Sequence, residues 1–244
     1  MIEVQGLCKS FGRGRQRVPI VRHVSFTCEA GAVYGLLGPN GAGKTTTLRL
    51  ISTALSPDAG TIRVAGIDAV KSPEQARRQF GFLSANTGLY GRLTPREVLR
   101  YFGDLHGMPR AATDARIVQL AETFQFADFL TRPCEKLSTG MKQKINIART
   151  VLHDPPVIIF DEPTAGLDIL ASRAIVDFVR TCRAEGRTLL FSTHIMGEVD
   201  RLCDQVGIIH RGQLVFNGDL ATFRATHGDD LEEGFLRVLE GAPA

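Results

Sequence analysis

Apolar and polar residues alternate along the first third of the chain with a period of two, which predicts strands over Ile2–Leu7, Val21–Cys28 and Thr61–Val64. Val24, Phe26 and Cys28 mark one buried face of the second strand, and the turn Asp58–Gly60 sets up the third. Between the first two strands, GRGRQRVP (Gly12–Pro19) breaks the alternation with basic residues and reads as a solvated loop. Val33–Leu37 is a compact apolar run with the length of a buried strand. It feeds the glycine-rich stretch GPNGAGKT, and Thr46–Thr53 then reads as a helix.

The period lengthens in the middle third. Thr94-Pro95-Arg96-Glu97 is a capping box with proline at the first helical position, so a helix begins there and stops near Gly107. Ile117, Leu120 and Phe124 recur at helical spacing, and residues from about 86 to 150 read as a mostly helical insert. Strand–helix alternation then returns with Val157–Phe160, a helix through Ile175, Phe178 and Cys182, and Leu189–Thr193. This pattern predicts an α/β fold with a parallel sheet covered by helices. Val206–Ile209 and Leu214–Phe216 flank Arg211-Gly212-Gln213 as a hairpin, and Asp219–Ala244 reads as one or two amphipathic helices. The expected organisation is a domain over 1–220 with its core in 1–85 and 151–218, a helical lobe over 86–150, and a helical tail over 221–244.

Composition adds limits. A chain of 244 residues, 43% hydrophobic and 23% charged, can bury a full core. A net charge of +3 gives no warrant for nucleic-acid binding, which usually shows a concentrated basic face. Cys8, Cys28, Cys134, Cys182 and Cys203 form no CxxC pair and read as reduced, structural thiols. The start MIEVQGLCKSFG lacks an apolar stretch of signal-peptide length, and no window approaches the roughly 18 apolar residues of a membrane span. Work at a membrane would therefore need a partner that spans it, with this chain cytoplasmic and peripheral.

The candidate chemistry gathers in four places. Gly38-Pro39-Asn40-Gly41-Ala42-Gly43-Lys44-Thr45 satisfies GxxxxGK[ST] between a strand and a helix. Its glycines let successive N–H groups meet phosphate oxygens, and the following helix, with Thr46 in it, adds its partial positive end. Lys44 suits the β- and γ-phosphates, and the Thr45 hydroxyl suits Mg²⁺. An ordinary glycine-rich turn is the bland alternative. Second, the apolar strand Val157–Phe160 ends in Asp161-Glu162, at the sheet edge where ligands bind. Asp161 suits Mg²⁺, and Glu162 suits polarising a water that attacks the γ-phosphate. Third, Ser138 or Thr139 caps the helix after Leu137, and Gly140 allows close backbone approach. A plain capped helix would look the same. Fourth, His194 follows a strand, a place where a histidine is more often a surface residue than a catalytic one.

Taken together, GPNGAGKT, LSTGM, FDEP followed by GLD, and STH resemble, in their order, the nucleotide-binding subunits of ABC transporters. The likeness runs from Phe11 to about Gly218. The wording around Ser84–Glu97 and Ser138–Lys144 is similar to bacterial exporter subunits of the sodium- and drug-extruding group. The resemblance implies a P-loop NTPase core with an N-terminal antiparallel β region and an inserted helical lobe. It implies ATP and Mg²⁺ as ligands, and a homodimer or a dimer with a paralogous ATPase subunit. It implies an integral membrane permease as partner, docked on the helical lobe. It implies that Phe11 stacks on adenine, that Ser138, Thr139 and Gly140 meet the γ-phosphate held by the other subunit, that Asp168 links the two sites, and that His194 contacts the γ-phosphate. Two departures stand out: Ala85, followed by Asn86, where the family usually has glutamine, and Thr139 and Met141 where glycine and glutamine are commoner. A soluble ATPase of the same superfamily acting on nucleic acid or ribosomes, and a P-loop phosphotransferase, are the competing readings. The first usually carries two motif sets and the second an arginine-bearing lid.

Overall fold

The computed structural model describes residues 1–84, 87–165, 167 and 169–242. The chain opens with β1 (Ile2–Phe11) and β2 (Val18–Cys28), an antiparallel pair that runs from Ile2 opposite Cys28 to Phe11 opposite Val18 with register shifts between Val4 and Ser10. The first strand therefore runs past the expected Leu7, and Val18 and Pro19 leave the expected loop to join the second. Long-range pairing overrides the local break in pattern. Pro19 is tolerated because β2 is an edge strand of its sheet, where a missing N–H costs nothing to a neighbour. The remaining basic turn is held by Arg17, which reaches Asp58 at 2.6 Å, with Lys9 on the same carboxylate at 3.3 Å.

Next come β3 (Val33–Leu37), α1 (Lys44–Ile51), β4 (Ala59–Val64), β5 (Ile67–Asp68), α2 (Pro73–Arg77) and β6 (Phe80–Leu83). The helical insert follows as α3 (Pro95–Leu105), α4 (Arg110–Thr123) and α5 (Thr139–Val151). The chain then runs through β7 (Val157–Asp161), α6 (Ile169–Ala184), β8 (Thr188–Thr193), α7 (Met196–Leu202), β9 (Gln205–His210), β10 (Gln213–Asp219), α8 (Leu220–His227) and α9 (Leu231–Glu240). A four-stranded antiparallel sheet has the order β2-β1-β4-β5, and a six-stranded sheet the order β10-β9-β3-β8-β7-β6. The latter is parallel except for β10, which returns as a hairpin on β9.

Every residue of β3, β7 and β8 is buried, because the large sheet is covered on both faces. The period of two decides which cover each residue meets. Ile158 and Phe160 face the helices with Leu83, Phe124 and Phe178, whereas Val157 and Ile159 face the antiparallel sheet with Ile2, Phe26 and Ile62. One apolar cluster carries on from the helical insert through the sheet to Leu220, Phe223, Leu231 and Val238 of the last two helices. The capping box forms as read: the Glu97 N–H donates to Thr94 Oγ1 at 3.3 Å, and the Thr94 N–H to Glu97 Oε2 at 2.8 Å. Where β6 meets α5 the backbones touch, since a Cβ on Gly81 would sit 2.1 Å from the Thr150 carbonyl oxygen.

His106, after α3, stacks on His153, after α5, with ring centroids 3.7 Å apart. Burial pushes His153 from 6.5 down to about 4, with the neighbouring His106 adding to the fall. Burial lowers His106 as well. In the unfolded chain these rings take up protons near pH 6.5, while the folded chain holds His153 neutral until about pH 4. Stability is therefore present above pH 6.5 and is lost as the pH falls through that window. Denaturant midpoints should show a loss of roughly 1–2 kcal/mol between pH 7 and pH 5. His153→Phe should flatten that slope, and a slope unchanged in the variant would show that the ring is not its source.

Candidate functional site

The parallel strands deliver their carboxyl ends to one edge. Because β3, β8 and β7 are adjacent there, the loop after Leu37, the segment after Thr193 and the pair Asp161-Glu162 meet although far apart in sequence. Gly43 sits at φ 110°, and a Cβ there would lie 2.8 Å from the Ile20 carbonyl oxygen, so glycine alone fits the bend. That bend starts α1 at Lys44 rather than at the expected Thr46. Lys44, Thr45 and Thr46 thus form the first turn, whose N–H groups have no partner within the helix. A cleft of about 320 Å³ is lined by Pro39 through Thr46 together with Phe11, Ile20 and Glu162. Phe11 is 44% exposed at its mouth. Clefts near 600 Å³ lie elsewhere on the surface, but they lack this convergence of glycine loop, helix start and acid.

Lys44 is buried beneath the loop. Its ammonium donates to the carbonyls of Gly38 at 2.6 Å and Pro39 at 3.3 Å, and lies 3.7 Å from Glu162 Oε1. Burial draws its pKa below the usual lysine value, while the carboxylates of Glu162 and Asp161 pull it back up. Asp161 is fully buried. Its Oδ1 accepts from Ser192 Oγ at 2.8 Å and Thr45 Oγ1 at 3.1 Å, and its Oδ2 has no partner among the described residues. An orphaned buried carboxylate oxygen beside a hydroxyl suits a hard divalent cation that takes its other ligands from phosphates and water. Among the described residues, no group of three or more His, Cys, Asp or Glu forms a protein cage.

Glu162 adopts φ 50°, a left-handed conformation that strains a residue with a side chain. Ser192 holds it there, accepting the Glu162 N–H on its hydroxyl at 3.1 Å and its carbonyl at 3.2 Å. The twist aims the carboxylate at the cleft, with His194 Nδ1 3.5 Å from Oε1.

Ser138, Thr139 and Gly140 lie at the start of α5 and do not line the cleft. Ser138 is the cap, accepting the Met141 N–H at 3.2 Å, and both Ser138 and Thr139 are exposed. Asp168, Ala85 and Asn86 lie outside the described residues. Two residues escaped the sequence reading. Ile20 enters the cleft only through its place in β2, and Ser192 reads as one more polar residue at a strand end.

A glycine loop wrapped on a helix start, a buried lysine and an acidic strand end define a P-loop nucleotide-hydrolysing protein. A family model described as ABC transporter matches residues 21–165, more than half of the chain. The ABC transporter ATP-binding protein NatA of Bacillus subtilis is 43% identical over 241 residues, covering 98% of each chain. The Nod factor export ATP-binding protein I of Ralstonia nicotianae is 36% identical, over 95% of this chain and 74% of that one. A solved ATP binding subunit of an ABC transporter superposes with a TM-score of 0.88 at 34% identity, covering 98% of this chain and 99% of its own. The chain belongs to the ABC transporter family, as its ATP-binding and ATP-hydrolysing subunit. Among the described residues no helix is long and apolar enough to cross a membrane.

Proposed function

We propose that this subunit drives an exporter, working from the cytoplasmic face as a head-to-tail dimer beneath a separate membrane permease. Within one copy, the N–H groups from Gly41 to Thr46 and the Lys44 ammonium grip the triphosphate, and Phe11 stacks on the base. Gly38, Pro39, Asn40 and Ala42 shape the bend that presents those groups. Thr45 and Asp161 would hold Mg²⁺, which would neutralise charge on the phosphates. Glu162 orients and polarises the attacking water, and His194 steadies Glu162 and reaches toward the γ-phosphate. Ser138, Thr139 and Gly140 of a second copy close the site from above, and Asp168 carries the link between the two sites. The observation that carries this reading is the cleft in which the loop, Lys44 and Glu162 converge, with the Thr45–Asp161 pair beside it. Support for the composite site comes from the exposed, capped start of α5, an anion-ready helix end that stands outside the phosphate-loop cleft of its own copy.

Complementation between two defective chains tests the dimer. Lys44→Ala and Ser138→Glu should each be nearly inactive alone, the second because a carboxylate there repels the γ-phosphate. Mixed together, they should regain activity, because one of the two composite sites pairs an intact Lys44 with an intact Ser138. If mixing restores nothing while both proteins remain folded, the head-to-tail arrangement is wrong. Export is read from relatives whose names speak of it. Co-purification with a multi-span membrane protein, and cargo efflux from cells expressing both, would test that part.

A further inference from the structure

Glu198 is a charge in the wrong place for a purely structural residue. It projects from α7, is 8% exposed, and no Lys or Arg pairs with it among the described residues. Instead its two oxygens accept from two threonine hydroxyls: Thr164 Oγ1 on Oε1, and Thr193 Oγ1 on Oε2 at 2.7 Å. Burying a carboxylate on neutral donors is costly, and an apolar side chain would fill the space more cheaply. Its partners suggest what the cost secures. Thr164 lies two residues beyond Glu162, and Thr193 immediately precedes His194. Thr193 Oγ1 also accepts the Ile195 N–H at 3.1 Å, fixing the turn that presents the imidazole.

We propose that Glu198 is a positioning residue for ATP hydrolysis, a bidentate tie that holds the Glu162 loop and the His194 loop at one spacing. The inference rests on the assignment of Glu162 and His194 made above. A carboxylate suits the task because both its oxygens accept and their separation is rigid. One residue thereby sets the gap between two segments that no strand pairing beyond Thr193 connects. The Glu162 loop has other anchors, the Ser192 hydroxyl on its N–H and Gln143 Nε2 on the Pro163 carbonyl at 2.8 Å. Loss of the Glu198 tie should therefore loosen the catalytic spacing without unfolding the loop.

The test compares Glu198→Ala, Thr164→Val and Thr193→Val in the full-length protein, with ATP affinity measured separately from turnover. Each folded variant should bind ATP within about twofold of wild type, because the phosphate loop is untouched. Each should lose about 10- to 100-fold in kcat, the scale of a catalytic group displaced by an ångström or less. The losses should not add: Glu198→Ala with Thr164→Val should be no slower than Glu198→Ala alone, since both cut one tie. Thr164→Val changes no charge and leaves α7 intact, so it decides the matter should Glu198→Ala fail to fold. Wild-type kcat in a folded Thr164→Val would overturn the proposal, and so would parallel losses of kcat and affinity. Glu162→Gln measured alongside separates the two levels. If it retains wild-type turnover, the assignment of the catalytic carboxylate fails; if it is inactive while the tie variants are not, only the positioning role fails.

Discussion

Glu162→Gln is expected to bind ATP as the wild type does and to hydrolyse it about a thousandfold more slowly, within the range for removing a general base. The amide keeps the shape, so the strained φ of 50° and the Ser192 bonds that enforce it should persist. What goes is the negative oxygen 3.7 Å from Lys44 Nζ and 3.5 Å from His194 Nδ1, the only carboxylate lining the cleft among the described residues. Asp161 cannot take over, since it is fully buried and already engaged by Thr45 and Ser192. Phosphate release under single-turnover conditions, beside a fluorescence measurement of nucleotide affinity, separates the two effects. Turnover at the wild-type rate would remove Glu162 from the chemistry.

The second large effect is expected on binding itself. Lys44→Ala should raise the Kd for ATP about 100-fold, near 3 kcal/mol, and bring hydrolysis below detection. The ammonium is the one basic side chain lining the cleft among the described residues. The loop already donates amides, but amides alone leave most of the charge on the β- and γ-phosphates uncompensated in a partly buried site. Removing the side chain also takes away the bonds to the Gly38 and Pro39 carbonyls that brace the loop from beneath. Calorimetric titration with Mg·ATP checks the value, and a melting curve without nucleotide shows whether the fold is kept. A Kd within threefold of wild type would mean that the loop amides carry the affinity.

Much of this site can be read from the chain because its parts are contiguous. The glycine loop, the acidic strand end and the capping box each follow from local rules: backbone freedom at glycine, the polarity of a buried strand's end, the orphan N–H groups of a helix start. The parallel sheet was equally legible, since Val33–Leu37, Val157–Phe160 and Leu189–Thr193 are too short and too apolar for surface elements. Element ends were less so. The first strand outran its pattern because β2 and β4 pair with it on both sides, and α1 began early because Gly43 turns left-handed against Ile20.

What the order of residues did not show is which of them meet. Thr45 and Asp161, 116 positions apart, come within 3.1 Å only because β3 and β7 flank β8. Ser192 and Glu198 look like a strand end and a helix acid until the fold sets one beneath Glu162 and the other between two threonines. The order of residues alone determined the class of chemistry, because phosphate grip is built from consecutive backbone groups. Tertiary structure alone decided how the acid, the histidine and their tether are spaced, because sheet order is settled by burial across the whole core and leaves no local trace.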